Sequence, residues 1–272
     1  MKAALWGQNY CSPTIGDWHL IEKDMSKEVL PNPVVCCVIP CYNVAVLCGE
    51  VVIQTAKYVD YVIAVNDGST DGTDKVLHKV AAESQGRIRV LSFLNNRGKG
   101  TALLEGFHYA LREIPFDILV TLDGDRQHCP SDIPRLVQAC IQENAALVIG
   151  ERTFDLGAIP LRSRLGNRLA TILLQRLYPR SPRDTQSGLR AFQRSFIEQI
   201  VQDIKGGRYE TELYILLLAL ERRLPIATVP IPAIYFDQNK SSHFRPVVDT
   251  LSICRAFLDF RVGVKNKVCP GR

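Results

Sequence analysis

The chain has 272 residues, 46% of them hydrophobic and 22% charged, with a formal net charge of +5. That is an ordinary globular balance, with room for a sizeable core in one large domain or two small ones. The modest positive charge suits anionic substrates or an anionic membrane surface, and the lack of a dense Lys/Arg block argues against nucleic acid as a partner.

The nine cysteines are an odd number, and Cys36, Cys37, Cys41 and Cys140 lie in apolar runs. No C-x-x-C pair occurs, so neither a zinc site nor a disulfide framework is supported, and a reducing compartment is expected. The start, MKAALWGQNYCSP, has too short an apolar run for a secretory signal. The longest uninterrupted apolar stretch, Leu213–Leu220, is far below the roughly 20 residues that span a bilayer. A soluble or peripheral protein, cytoplasmic or bound to the cytoplasmic membrane face, is the expectation.

In chain order, residues 1–33 show no clear periodicity and end in Pro31-Asn32-Pro33, which reads as an N-terminal extension. Val34–Ile39 forms a first strand closed by Pro40. Helical spacing over Val44–Ala56 and a strand at Tyr58–Val65 follow. Asn66-Asp67-Gly68-Ser69-Thr70-Asp71-Gly72-Thr73 is a dense turn cluster that also supplies helix N-caps. A helix to about Glu83, a strand at Ile88–Phe93 and a helix at Gly100–Glu113 come next. Ile118–Leu122 is a continuous apolar run, as in a buried parallel strand. A helix at Ser131–Asn144 and a strand at Ala146–Ile149 close this half. After Gly150 the alternation breaks down. A basic amphipathic helix (Arg162–Tyr178) precedes Asp184–Arg190, a short strand, Tyr209–Glu212, an apolar helix to Arg222 and a strand at Ile226–Val229. A last helix at about Pro246–Val262 carries Val247, Leu251, Cys254 and Leu258 on one stripe.

Alternating strands and helices indicate a parallel α/β sheet, whose ligands bind outside the strands' carboxyl ends. Cys41–Asn43, Asn66–Asp71, Asn95–Lys99 and Asp123–Gln127 all fall at such ends. In extended backbone Asp123 and Asp125 leave the same face, and Gln127 continues that register. Two carboxylates and an amide oxygen make a hard-oxygen set for Mg2+ or Mn2+; the competing reading is an Asp-Gly turn that caps the next helix. Gly98-Lys99-Gly100-Thr101 is not a phosphate loop, because Phe93 stands where the required glycine would be.

Taken together, VVCCVIPCYN (34–43), VNDGSTDGT (65–73), NRGKGTAL (96–103) and LDGDRQH (122–128) resemble the family 2 glycosyltransferases. DTQSGLRAF (184–192), YETEL (209–213) and VPI (229–231) are most similar to the dolichyl-phosphate mannosyltransferase-like branch, which makes polyprenyl-phosphate sugars. The resemblance implies a GT-A fold over 34–245, a Rossmann-like, mostly parallel sheet flanked by helices, with 246–272 as a C-terminal helix and tail. Two departures are Val44, where members often carry an acid, and the lack of C-terminal transmembrane helices.

The resemblance also implies roles. Pro40, Tyr42, Asn43 and Asp67 would line a nucleoside pocket, and Lys99, Asp123 and Gly124 would complete the donor site. Asp123, Asp125 and Gln127 would hold the metal, with His128 as a further ligand or merely packed. Arg152 would reach the donor's diphosphate and Arg164 the acceptor's phosphate. Asp184, Ser187, Arg190, Glu210, Glu212 and Lys240 would stand on the acceptor side. The implied reaction is inverting transfer of a hexose from UDP-glucose or GDP-mannose to a polyprenyl phosphate. Such a phosphate is anionic at neutral pH and needs no base. A saccharide hydroxyl acceptor would need one, with Asp184, Glu210 and Glu212 as candidates, and an inactive sugar-nucleotide-binding relative is a third reading. A lipid acceptor requires contact with the membrane, through Arg162–Tyr178 or the last helix. Nucleotidyltransfer is set aside, because Pro40-Cys41-Tyr42-Asn43 replaces the Gly-rich, Arg-containing loop it needs.

Overall fold

The computed structural model describes residues 32–153, 176, 178, 181–208 and 210–233. Of the expected extension over 1–33 only Asn32 and Pro33 are described; nearly all of the helix at Arg162–Tyr178 with Arg164, and Tyr209, lie outside the described residues, as do Lys240 and the final helix.

Strands Val35–Cys41 (β1), Tyr61–Asn66 (β2), Ile88–Ser92 (β3) and Ile118–Thr121 (β4) alternate with helices Cys48–Thr55 (α1), Thr73–Ala82 (α2) and Lys99–Glu113 (α3). A 3-10 turn at Pro130–Asp132 enters Ile133–Gln142 (α4). Leu147–Thr153 (β5), Arg190–Gln193 (β6), Arg194–Asp203 (α5), Glu210–Glu221 (α6) and Ile226–Pro232 (β7) follow. The strands form one sheet in the order β3-β2-β1-β4-β6-β5-β7. Strands β1 to β4 pair in parallel, β6 runs antiparallel to both of its neighbours, and β7 is parallel to β5.

Both faces of the sheet are covered, which is why its central strands read as unbroken apolar runs. In β1, Cys36 and Val38 face a core layer with Leu103 and Phe107 of α3, Phe196 of α5 and Leu216 of α6. Val35, Cys37, Ile39 and Cys41 face the other layer, with Val52 of α1, Leu77 of α2 and Leu136 of α4. Each fully buried side chain of this size stabilises the fold by about 1.5–3 kcal/mol.

Three local expectations change. Strand β1 runs through Pro40 to Cys41; its ladder with β4 ends at Val38–Thr121, so Pro40 pairs on one side only, where a missing N–H is tolerated. Helix α1 starts at Cys48 rather than Val44, because the Val44 and Ala45 N–H groups donate to Thr73 Oγ1 and Asp71 Oδ2 at 2.9 and 3.0 Å. Extended backbone ends at Thr121, and Asp123–Gln127 form a turn in which Arg126 has a φ of 67°. The aspartates converge through that turn, not through strand alternation.

Candidate active site

Strand order reverses at β1, with β2 on one side and β4 on the other, so the loops leaving β1 and β4 part and open a crevice at the carboxyl edge. Because β6 is antiparallel, its leading segment, residues 184–189, enters at that same edge. The end of β5, with Arg152, is there too. Gly124 lies against the end of β1: a Cβ on it would stand 3.0 Å from Cys41 Sγ and 3.2 Å from the Pro40 carbonyl.

The loops after β1 and β2 are laced together. Asn43, at a φ of 51°, donates its N–H to Ser69 Oγ at 3.0 Å and accepts the Thr70 N–H on Oδ1 at 2.9 Å. Asp67, buried, accepts the N–H groups of Arg97 at 2.6 Å and Gly98 at 2.9 Å and the Asn96 amide at 2.9 Å. Burial raises its pKa against the pull of those two N–H groups. Asp67 therefore anchors the loop that delivers Lys99.

Lys99, the first residue of α3, places Nζ 2.7 Å from Asp123 Oδ1 and 3.0 Å from Glu212 Oε2. His128 Nε2 lies 3.6 Å from Asp123 Oδ2, and its Nδ1 is buried with no partner among the described residues. Burial alone would raise the Asp123 pKa, but Lys99 and His128 outweigh it and hold the carboxyl well below the usual range. Asp125 shows the opposite balance: burial, then the Asp123 charge, push it up to about 6. The aspartate pair thus carries negative charge that its surroundings do not fully neutralise. Gly188 permits the packing, since a Cβ there would fall 2.3 Å from Asp123 Oδ2.

Arg152 and Asp184 form a fork-to-carboxylate pair, Nε to Oδ2 at 2.6 Å and Nη2 to Oδ1 at 3.0 Å. Burial opposes ionisation of Asp184, yet the Arg152 charge prevails and its pKa is lowered. Arg190, 1% exposed, donates to the carbonyls of Ser187 (2.9 Å), Thr185 (2.9 Å) and Glu212 (2.7 Å). One guanidinium thereby fastens the 184–190 loop to α6.

The sequence pattern of glycosyl transferase family 2 matches residues 36–201, more than half of the chain. The chain belongs to this family. Its fold is the GT-A fold, and as a family 2 glycosyltransferase it is 32% identical over 217 residues to the UDP-N-acetylglucosamine–dolichyl-phosphate N-acetylglucosaminyltransferase of Methanococcus voltae, covering 73% of this chain and 84% of the relative. It is 29% identical over 177 residues to the polyprenol monophosphomannose synthase of Mycolicibacterium smegmatis, covering 63% and 65%. Among solved structures, glucosyl-3-phosphoglycerate synthase from Mycobacterium tuberculosis, crystallised with Mn2+, UDP and glucosyl-3-phosphoglycerate, shares the fold at a TM-score of 0.63 and 21% identity, over 94% of this chain and 86% of that one. Mannosyl-3-phosphoglycerate synthase from Rubrobacter xylanophilus shares it at 0.65 and 20%, over 88% and 77%.

Within this family 2 domain, Pro40, Tyr42, Asn43, Asp67, Lys99, Asp123, Gly124 and Asp125 gather at the crevice edge, and Arg152, Asp184, Ser187 and Glu212 border it. Two residues expected at the donor and acceptor sides also hold the protein's own loops. Arg190 is wholly buried and spends three donors on backbone, and Asp67 turns its carboxylate into the loop at 96–98. Gln127 donates its N–H to Asp125 Oδ1 at 3.1 Å. Glu210 accepts the Arg208 N–H at 3.0 Å, one helical face away from buried Glu212. Sequence reasoning did not single out Thr121, whose Oγ1 donates to the Gly188 carbonyl at 2.8 Å, or Asn96. A threonine ending an apolar strand was the available signal for the first.

Proposed function

We propose that this glycosyltransferase moves a hexose from a UDP- or GDP-sugar to a polyprenyl phosphate, with inversion. One observation supports the acceptor assignment: among the described residues, the three carboxylates that the sequence offered as bases, Asp184, Glu210 and Glu212, each already hold a partner. Asp184 is clamped by Arg152 at 2.6 Å, Glu212 holds Lys99 at 3.0 Å, and Glu210 caps the Arg208 N–H at 3.0 Å. A phosphate acceptor needs no base, because its oxygen is anionic at neutral pH. The names of the Methanococcus and Mycolicibacterium relatives support the same acceptor class.

The donor set fits a divalent cation. Asp123 and Asp125 offer hard-oxygen donors, with Lys99 and His128 offsetting part of their charge, and among the described residues they belong to no group of three His, Cys, Asp or Glu that could hold an ion. That leaves coordination positions for diphosphate oxygens, as Mg2+ and Mn2+ commonly require. Bound there, the ion would neutralise charge on the departing nucleotide. Arg152 borders the crevice with its guanidinium oriented by Asp184, suited to the donor diphosphate. Among the described residues no helix is long and apolar enough to cross a membrane.

The test is nucleotide release from a panel of UDP- and GDP-sugars with Mg2+ or Mn2+, with and without a short polyprenyl phosphate, with 3-phosphoglycerate as the alternative acceptor. Release that depends on polyprenyl phosphate and is lost in Asp125→Ala is the expected result. Release that responds to 3-phosphoglycerate alone would overturn the lipid acceptor.

A further inference from the structure

Lys99 is held by carboxylates from two other parts of the fold. Asp123 comes from the turn after β4, and Glu212, 113 residues along the chain, comes from the first turn of α6. The side chain is 19% exposed, and the carboxylates of Asp123 and Glu212 both touch this one ammonium, with Asp125 two residues from Asp123 on the same turn. At 2.7 Å the ammonium occupies a ligand position of Asp123 Oδ1. A hard dication would need that oxygen at about 2.0–2.6 Å, and it repels an ammonium at such range. Glu212 has unused capacity on the other side: its Oε1 is buried and has no partner among the described residues.

We infer that Lys99 is the resident counter-ion of the aspartate pair, which a divalent cation must displace from Asp123, and that Glu212 retains the ammonium when this happens. Two features make the exchange cheap. The lysine stem needs only to swing, since Gly98 and the Asp67-anchored loop fix its backbone. The N–H freed from Asp123 finds the open Glu212 Oε1. The consequence is ordered chemistry: without nucleotide the ammonium keeps the pair occupied and cation affinity is low. A nucleotide diphosphate adds negative charge and further oxygen ligands, and tips the exchange. Lys99 is therefore a positioning residue that makes cation binding depend on the donor.

The inference rests on the cation reading above, and its test is direct Mn2+ binding, followed by loss of the free-ion EPR signal with no nucleotide present. Lys99→Met should bind Mn2+ at least about tenfold more tightly than the parent protein, because one nearby positive charge is gone. Lys99→Arg should stay near the parent. Lys99→Gln, which keeps a hydrogen bond to Glu212, serves if Lys99→Met does not fold by thermal unfolding. Glu212→Gln should weaken Mn2+ binding in the parent and much less in Lys99→Met, since no ammonium then needs holding. Equal weakening in both backgrounds, or no gain in the neutral Lys99 variants, overturns the inference. If no protein binds Mn2+ even with UDP or GDP present, the cation reading fails with it; if Mn2+ binds with nucleotide but the neutral variants show no gain, only the counter-ion role fails.

Discussion

At the scale of single residues, the site depends on side chains that are absent as much as on those present. A Cβ on Gly188 would lie 2.3 Å from Asp123 Oδ2, so Gly188→Ala must push that carboxylate out of its pocket. Displacement of about 1 Å in a reacting constellation costs about a hundredfold in rate, and that loss of kcat/KM is expected with only about 1–3 kcal/mol of stability lost to overpacking. Gly72→Ala is the control: nothing lies within 4 Å of its added Cβ, and its φ of +95° should cost about 1–3 kcal/mol in urea unfolding while kcat/KM is kept. Arg190→Met should be worse for stability than either, because it strands three buried carbonyls at about 1–3 kcal/mol each. Lysine should not rescue it, since one ammonium cannot reproduce the planar fork. Asp184 gives a pH signature. Its folded pKa lies below the unfolded value of about 3.9, so its contribution is complete above that value and is lost as pH falls through the folded pKa. The stability gap between the parent and Asp184→Asn should therefore be constant above about pH 5 and shrink below about pH 4 in urea titrations.

At the scale of elements, α3 and α6 meet through a seam of glycines. The Thr101 N–H donates to the Gly207 carbonyl at 3.0 Å, and a Cβ on Gly100 would stand 1.9 Å from Thr211 Oγ1. Gly100→Ala should drive the two helix starts apart, separate Lys99 from Glu212, and lower both the urea midpoint and the transfer rate. This seam shows where sequence reading stops. The strands and helices up to β5 announced themselves through apolar runs and turn clusters, because each is a local pattern. Helix α5 did not: it follows β6 with no turn residue between Gln193 and Arg194, and only Phe196, Ile197 and Ile200 mark its buried face. The reversed direction of β6 is likewise invisible in four residues whose partners, β4 and β5, lie elsewhere in the chain. Motif residues fixed the edge at which the site forms. They could not show that Lys99 reaches Glu212, or that Asp67 faces inward, because those pairings exist only after α3, β4 and α6 have packed.

At the scale of the whole molecule, no single element owns the site: loops after β1, β2, β3 and β4 supply it, together with the end of β5, the approach to β6 and the start of α6. A ligand that bridges these loops must stabilise the sheet that carries them, by mass action on the folded state. At about one hundred times Kd this linkage is about 2.7 kcal/mol, which in a domain of this size raises Tm by about 5–10 °C. The expected pattern is cooperative. Mn2+ alone should move Tm little, since Lys99 already neutralises part of the aspartate pair, and UDP or GDP alone should move it modestly. The two together should exceed the sum of their separate shifts, and Asp125→Ala should reduce the joint shift to that of nucleotide alone. A nucleotide shift indifferent to Mn2+ and preserved in Asp125→Ala would mean that the aspartate pair serves the protein's own charge balance and not a bound cation.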